Sequence, residues 1–201
     1  MPPKPKFTKE EFVNAALELV SEKGLEALTA RELAERLNSS SRPIFTVFKN
    51  MDELTEEVRA AAMRRFEEYV GEEEEAVPFF KSFGFRMVLF AENEPKLFQL
   101  LFMKEGESAE NFDFLFTKLN VTAKRCVEAL EKEHSLSEKG AKTLFEQSWI
   151  YTFGIAVMCA TGIRRFSNDE VSRLISTDFQ SKLRLVEASE KGIDKKHGEE
   201  N

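Results

Sequence analysis

Few residues of this chain could carry out a chemical reaction. Its 201 residues include two histidines, His134 near the end of a predicted helix and His197 in the C-terminal tail. The two cysteines, Cys126 and Cys159, lie far apart without CxxC spacing. Catalytic triads and metal sites need several such groups brought together, and the run GEEEEAV is not a phosphate-binding loop. We therefore expect no enzyme, no metal, no cofactor, and two reduced thiols that fill the core.

Residues 29–54, TARELAERLNSSSRPIFTVFKNMDEL, carry side chains suited to recognition. The T-x-x-E spacing at Thr29 predicts a capping box that starts one helix. The polar run NSSS interrupts that helix, because short polar side chains compete for backbone hydrogen bonds. A second helix of about two turns is expected from about Ser40, with Pro43 in its first turn, and Asn50 is expected to cap a third. This is the layout of a DNA-binding helix-turn-helix.

A further helix is expected upstream, from the T-x-x-E box at Thr8 to a C-cap at Gly24. Residues 7–54 resemble the N-terminal DNA-binding domain of the TetR/AcrR family of bacterial transcriptional regulators. The resemblance is carried by AALELVSEKGLEALTARELAERL followed by SSSRPIFTVFKNMDEL, in the order and spacing of that family. It covers the first quarter of the chain strongly, whereas the rest agrees only in length and helical character.

The resemblance implies which residues contact DNA. Arg31, Ser41, Arg42 and Pro43 fall where family members reach base edges, and Thr29 and Thr46 fall at phosphate-contacting positions. Arg42 is the best candidate for direct readout, because a guanidinium bonds bidentately to guanine with about 1 to 3 kcal/mol of discrimination. The complete predicted DNA-binding set is Thr29, Arg31, Ser41, Arg42, Pro43, Phe45, Thr46 and Lys49.

Three positions depart from the family pattern. Phe45 stands where tyrosine is usual, Val47 where histidine is frequent, and Met51 where lysine starts the fourth helix. These changes remove polar contacts to the DNA backbone, which Lys49 and the arm of residues 1–6, with its lysines, could replace. We expect DNA binding that is weaker, or more dependent on the arm and the arginines, than is usual for the family.

Two alternatives remain open for this segment. It could be a structural three-helix unit, in which Arg31 simply pairs with Glu35 one turn on. The chain as a whole could also be a helical ligand-binding or protein-interaction module whose DNA contacts have decayed.

Charge is distributed unevenly along the chain. Residues 1–49 contain eight Lys or Arg and seven Asp or Glu, a balance of +1, so the total of −7 leaves −8 for the remainder. Such a protein can dock one end onto DNA while the larger part repels it. The N-terminus lacks a secretory pattern, and the longest uncharged stretch, ending at Ile163, is shorter than the roughly 20 residues of a membrane span. We expect a cytoplasmic protein with no membrane partner.

The remaining residues favour helices almost throughout, and the predicted fold is all-α with nine helices. We expect an N-terminal helix-turn-helix domain over residues 1–50 and a larger helical effector-binding and dimerisation domain over residues 51–189. A flexible polar tail is expected over residues 190–201. The later helices are predicted at 51–69, 78–91, 95–104, 111–133, 137–161 and 167–187.

The resemblance implies that the last two helices pair with those of a second subunit, and a homodimer would read two operator half-sites. Intramolecular core is the alternative for the same side chains. The candidates for the dimer interface are Trp149, Phe153, Ala156, Ala160, Val171, Leu174, Ile175 and Phe179.

Most of the nineteen phenylalanines lie in the central helices. A phenylalanine stripe at helical spacing is usually core, but the resemblance places a pocket for a small, largely apolar effector among these helices. Arg86 could face an anionic head group or lie at the rim with its charge in water. The predicted ligand-binding set is Phe83, Arg86, Phe90, Phe98, Phe102, Phe112 and Phe116. Together these features predict a ligand-responsive regulator, a repressor by family habit, that binds a pseudo-palindromic double-stranded DNA operator.

Overall fold

Helices make up all the regular structure in the described part of the chain, which confirms the all-α prediction. The structure is a computed structural model that describes residues 7–72, 78–103 and 112–198, and only the backbone at positions 115, 120 and 192–198. None of its described helices is long and apolar enough to cross a membrane. The elements are α1 (Lys9–Lys23), a 3₁₀ turn (Leu25–Ala27), α2 (Ala30–Arg36), α3 (Ile44–Val47), α4 (Met51–Gly71), α5 (Phe79–Asn93), α6 (Pro95–Phe102), α7 (Asp113–His134), α8 (Glu138–Ala160) and α9 (Asn168–Gly198).

Local capping interactions set several helix ends where the sequence predicts them. The Thr8 N–H donates to Glu11 Oε2 at 2.7 Å, and the Glu11 N–H donates to Thr8 Oγ1 at 3.1 Å. The same reciprocal pair starts α9, where the Ser167 N–H donates to Glu170 at 2.9 Å and the Glu170 N–H donates to Ser167 Oγ at 3.2 Å. Gly24, at φ +88°, ends α1 in a conformation that favours glycine. The predictions at Thr8 and Gly24 are confirmed.

The cap of α2 is only half of the predicted box. The Glu32 N–H donates to Thr29 Oγ1 at 3.2 Å, as expected. The Glu32 carboxylate, however, pairs with Lys23 Nζ at 3.0 Å, a partner nine positions earlier in the chain. The Glu32 carboxylate therefore forms a tertiary ion pair instead of the predicted hydrogen bond with the backbone of Thr29.

Helix α3 is shorter and starts later than predicted. It occupies one turn from Ile44, rather than two turns from Ser40, and Pro43 is its N-cap instead of a residue in its first turn. The physical reason is the preceding turn, since the Ile44 N–H donates to the Ser41 carbonyl at 3.1 Å and proline has no N–H to donate. Helix α9 differs in the opposite direction, because it continues past the predicted end near residue 187 to Gly198.

The chain forms two compact units. The first contains α1 to α3, α4 up to Phe66, and α6. Its core includes Phe12 and Phe48, whose rings lie 6.1 Å apart, and a T-shaped pair of Phe66 and Phe102 at 5.1 Å. Glu94, at the start of α6, accepts a 2.6 Å hydrogen bond from Ser21 Oγ of α1 and pairs with an arginine of α4, Arg65. Charged and apolar contacts thus join α6 to α1 and α4.

The second unit contains the rest of α4 together with α5, α7, α8 and α9. An aromatic layer fills its core between α5 and α8, where Phe83 and Trp149 stack at 6.0 Å. Phe80 joins this layer to α9 through Phe179 at 5.5 Å, and Phe116 joins it to α7 through Phe145 at 5.5 Å. The functional boundary that the sequence suggests at residue 50 stays a prediction.

Candidate nucleic-acid interface

The short helix α3 presents one face to the core and the other to solvent. Ile44 and Phe48, one turn apart, are completely buried and anchor the helix. The positions between and beside them, 42, 45, 46 and 49, are exposed. One turn of helix held by two buried side chains is a rigid support for outward-facing groups.

Arg42 and Lys49 give this exposed face its positive charge. Neither side chain forms an ion pair within the described residues, so both charges are open to a partner. The nearby Glu53 carboxylate is engaged by the backbone, because it accepts a 2.7 Å hydrogen bond from the Lys49 N–H. Asn50 caps α4 through a 2.9 Å bond from the Glu53 N–H to Asn50 Oδ1, as predicted.

Arg31 on α2 is highly exposed, at 86%, but already has a partner. Its Nε lies 3.0 Å from Glu35 Oε1, which confirms the pairing that the sequence offered as an alternative. The hydrogen bond to Glu35 raises the pKa of Arg31. Because exposed pairs of this kind are weak, a phosphate or a base edge can displace the carboxylate.

The two predicted phosphate-contacting hydroxyls differ in what they can still donate. Thr29 Oγ1 accepts the hydrogen bond from the Glu32 N–H, so its own hydrogen is available for a phosphate oxygen. Thr46 Oγ1 donates to the Pro43 carbonyl at 2.6 Å. It must give up that bond before it can donate to a phosphate, which makes Thr29 the better contact of the two.

The predicted set therefore falls into two groups. Ser41, Arg42, Pro43, Phe45, Thr46 and Lys49 lie together on the turn and α3, whereas Thr29 and Arg31 lie at the start of α2. Among the departures from the family pattern, Phe45 is 50% exposed, an unusual exposure for a large apolar ring. Val47 and Met51 are half-buried. The lysines of the arm, Lys4 and Lys6, lie outside the described residues.

The helix-turn-helix segment of this chain matches a protein-family model. Residues 12–58 match the model for bacterial regulatory proteins of the tetR family. Residues 12–58 are therefore similar to the N-terminal domain of the tetR family. No curated protein matches the chain.

Solved structures of TetR proteins share the fold along nearly the whole chain. A TetR family protein from Vibrio parahaemolyticus is 18% identical with a TM-score of 0.58, covering 86% of this chain and 97% of that one. A TetR-like regulator from Rhodococcus sp. RHA1 is 14% identical with a TM-score of 0.62, covering 90% and 99%. A TetR variant from Acinetobacter baumannii, in complex with minocycline, is 20% identical with a TM-score of 0.56, covering 91% and 98%. The TetR fold thus extends well beyond the matched domain.

The predicted ligand-binding residues are divided between the two units. Phe98 and Phe102 pack on each other at 5.0 Å in the first unit. Phe83 and Phe90 are buried on α5 in the second unit, and Phe112 and Phe116 lie half-buried at the start of α7. The prediction grouped them by stripe, but α6 belongs to the first unit, where it packs on α1.

Arg86 lies against α4. Its NH1 pairs with Glu72 Oε2 at 2.7 Å and donates to the Tyr69 carbonyl at 3.2 Å. The Glu72 carboxylate thus already neutralises the charge that an anionic head group would need. Glu72 belongs to an acidic run whose residues 73–75 lie outside the described part.

The aromatic layer of the second unit leaves a void of only about 10 Å³. Phe83, Phe145 and Trp149 line it together with Ser148. The Ser148 hydroxyl is buried and has no hydrogen-bond partner in the described residues. This void is about the size of one water molecule, so a larger ligand would have to displace aromatic side chains.

Most of the predicted dimer-interface residues are part of the chain's own core. Trp149, Ala156, Ala160, Val171 and Ile175 are buried within the chain, whereas Phe153, Leu174 and Phe179 are half-buried. Helix α8 exposes the apolar side chain of Ile150, which is 55% accessible. One turn later lies Gly154, where an added Cβ would have no heavy atom within 4 Å. Ile150 is absent from the predicted interface residues, although its one-turn spacing from Gly154 could have identified this face.

Proposed function

We propose that this chain is a cytoplasmic, ligand-responsive repressor that binds a pseudo-palindromic operator as a homodimer. The exposed face of α3 carries the proposal, because Arg42 and Lys49 have no ion-pair partner in the described residues and stand on a helix anchored by Ile44 and Phe48. Arg42 contacts a base and Lys49 a phosphate, with Thr29 donating to a second phosphate.

The DNA contact is tested by fluorescence anisotropy with the DNA upstream of the protein's own coding sequence. We expect a salt-sensitive, sequence-selective complex, and Arg42→Ala should weaken it about 5- to 150-fold, as one bidentate base contact implies. Arg184→Ala, which removes an exposed arginine of α9, is the matched control. Equal affinities for Arg42→Ala and Arg184→Ala would refute the assignment.

A second function is favoured by two observations on the same face. Arg31 is paired with Glu35, and Phe45 exposes an apolar ring that lacks a hydroxyl for a phosphate. Both suit a protein-interaction module whose DNA contacts have decayed. The absence of a salt-sensitive, sequence-selective complex with the upstream DNA would favour this alternative over the repressor.

For the homodimer we propose the exposed face of α8 that contains Ile150 and Gly154. Leu185 of α9 is also exposed, and a glycine with open space beside it lets a second helix approach closely. Light scattering should show a dimer for the wild type and a monomer for Ile150→Glu. The control is Val121→Glu, a similarly exposed apolar position on α7. A monomeric wild type at concentrations that bind DNA would contradict the dimer.

For the effector we propose the aromatic layer around Ser148. Its buried hydroxyl, which has no partner among the described residues, is satisfied when a polar ligand atom reaches it. The structure of the Acinetobacter relative contains minocycline, so that protein holds a small molecule. A ligand that opens the layer in one conformation only needs about 1 to 3 kcal/mol of coupling to change DNA affinity usefully.

Trp149, the only tryptophan of the chain, is a built-in reporter for that site. A true effector should both change Trp149 fluorescence and release the operator at the same concentration. Ser148→Ala should weaken both effects together. Release without any change at Trp149 would place the effector elsewhere.

A further inference from the structure

A second, larger cavity opens to solvent between α5 and the first turns of α9. Its volume is about 270 Å³. Lys81, Ser82 and Phe85 line it from α5, and Asp169, Ser172 and Ile175 line it from α9. All of these residues belong to the second unit, and none lines the small void around Ser148.

The Ser82 hydroxyl indicates that this cavity takes a polar ligand atom. Ser82 is only 4% exposed, and its Oγ has no hydrogen-bond partner among the described residues. A buried hydroxyl in this state is unfavourable, and native structures rarely leave one without a reason. Its oxygen has almost no accessible surface, so the Ser82 side chain must rotate toward the cavity before a ligand seated there can supply the missing acceptor.

The two walls carry opposite charges that do not neutralise each other. Lys81 on α5 and Asp169 on α9 both line the cavity, yet neither forms an ion pair in the part of the chain that the structure describes. The neighbouring Glu170 is engaged instead by the cap of α9 and by Arg164, at 3.1 Å. The described lining is therefore neutral overall, with a cation on one wall and an anion on the other.

Apolar surface accompanies these charges. The Phe85 ring comes from α5 and the Ile175 side chain comes from α9, so a ligand that enters the cavity meets apolar groups as well as polar ones. A volume of about 270 Å³ suits a small molecule of roughly amino-acid size and is below the usual range for drug-sized ligands.

We propose that this cavity binds a free α-amino acid with an aromatic or branched apolar side chain. The Lys81 ammonium receives the carboxylate, with the Ser82 hydroxyl donating to the same group, and the Asp169 carboxylate receives the ligand's ammonium. The apolar side chain packs against Phe85 and Ile175. This site is separate from the proposed effector site and does not depend on DNA binding.

The probe is L-phenylalanine, titrated into the full-length protein by isothermal titration calorimetry. Two analogues each lack one charge, namely 3-phenylpropionate without the ammonium and phenethylamine without the carboxylate. The wild type should bind phenylalanine saturably and about tenfold or more tightly than either analogue, because each charge-assisted hydrogen bond is worth about that factor.

Two variants then assign each charge to its wall. Lys81→Met should weaken phenylalanine and 3-phenylpropionate about tenfold and leave phenethylamine unchanged. Asp169→Asn should weaken phenylalanine and phenethylamine and leave 3-phenylpropionate unchanged. Lys124→Met, at an exposed lysine of α7, and Asp52→Asn, at the first turn of α4, are the matched controls and should change nothing.

Three results would overturn the proposal. An absence of saturation by phenylalanine at millimolar concentrations would remove the site. Equal binding of 3-phenylpropionate and phenylalanine would leave a simple anion site. Equal weakening of all three probes by Lys81→Met would show a structural role for the lysine. Because no operator is needed, failure here is distinguishable from failure of the repressor assignment.

Discussion

Gly140 on α8 lies against Glu190 on α9, and the effect of Gly140→Ala on stability should change sign when Glu190 is removed. The Glu190 carboxylate accepts hydrogen bonds from the Ser137 N–H, at 3.1 Å, and from the Ser137 hydroxyl. A Cβ added at Gly140 would overlap Glu190 Oε1 and lie 3.2 Å from Val186 Cγ1. Gly140→Ala must therefore expel the carboxylate from the N-terminus of α8.

The magnitude follows from two opposing effects. Removing the carboxylate from its hydrogen bonds costs about 1 to 2 kcal/mol in total at this solvent-accessible site. Alanine favours a helix over glycine by up to about 1 kcal/mol. Gly140→Ala should then destabilise the wild type by about 0.5 to 1 kcal/mol. In the Glu190→Ala background it should stabilise the protein by up to about 1 kcal/mol, since the overlap with the carboxylate is gone and the Val186 methyl group at 3.2 Å needs only a small shift.

The assay is urea unfolding of the four proteins of this double-mutant cycle, at one protein concentration and followed by Trp149 fluorescence. A coupling energy of about 1 to 2 kcal/mol between positions 140 and 190 is the expected result. If Gly140→Ala changes the free energy of unfolding equally with and without Glu190, the Glu190 carboxylate does not lie against Gly140 as described.

Three further predictions concern the DNA face, acid stability and a thiol. Phe45→Tyr restores a phosphate donor at a 50% exposed ring and should tighten operator binding several-fold in anisotropy, whereas unchanged affinity would place Phe45 away from the backbone. The Ser167 N–H, with smaller contributions from the Ser167 hydroxyl and from Arg164, lowers the pKa of Glu170 below 4.5. The stability that this carboxylate contributes is therefore present above pH 4.5 and is lost as the pH falls through the lowered pKa. Glu170→Gln should show a smaller drop in Tm on acidification than the wild type, and an identical drop would contradict this. Burial raises the pKa of the Cys126 thiol well above 9.0, so iodoacetamide should modify it only as fast as the protein unfolds, and rapid labelling of the folded chain would show that the core is open.

Local patterns predicted the helix ends well. The boxes at Thr8 and Ser167 and the cap at Asn50 all involve groups three positions apart, so their geometry is settled before any tertiary contact forms. The box at Thr29 failed in one half because the Glu32 carboxylate pairs with Lys23, which lies on another helix.

Side-chain direction was harder to predict from the same patterns. On α8 the stripe with Trp149 and Ala156 and the stripe with Ile150 and Gly154 are both apolar, and neighbouring positions differ by only about 100° around a helix. Periodicity cannot say which of two adjacent apolar stripes the other helices will cover. Packing against α5 and α9 buries Trp149 and leaves Ile150 exposed.

By itself, the sequence determined the all-helical class, the helix-turn-helix and the similarity of residues 12–58 to the tetR family, because capping, turn chemistry and motif spacing are local properties. Tertiary structure alone decided that Arg86 pairs with Glu72 and that Lys81 and Asp169 line one cavity. These groups lie 14 and 88 positions apart, and only the packing of whole helices brings such distant side chains together.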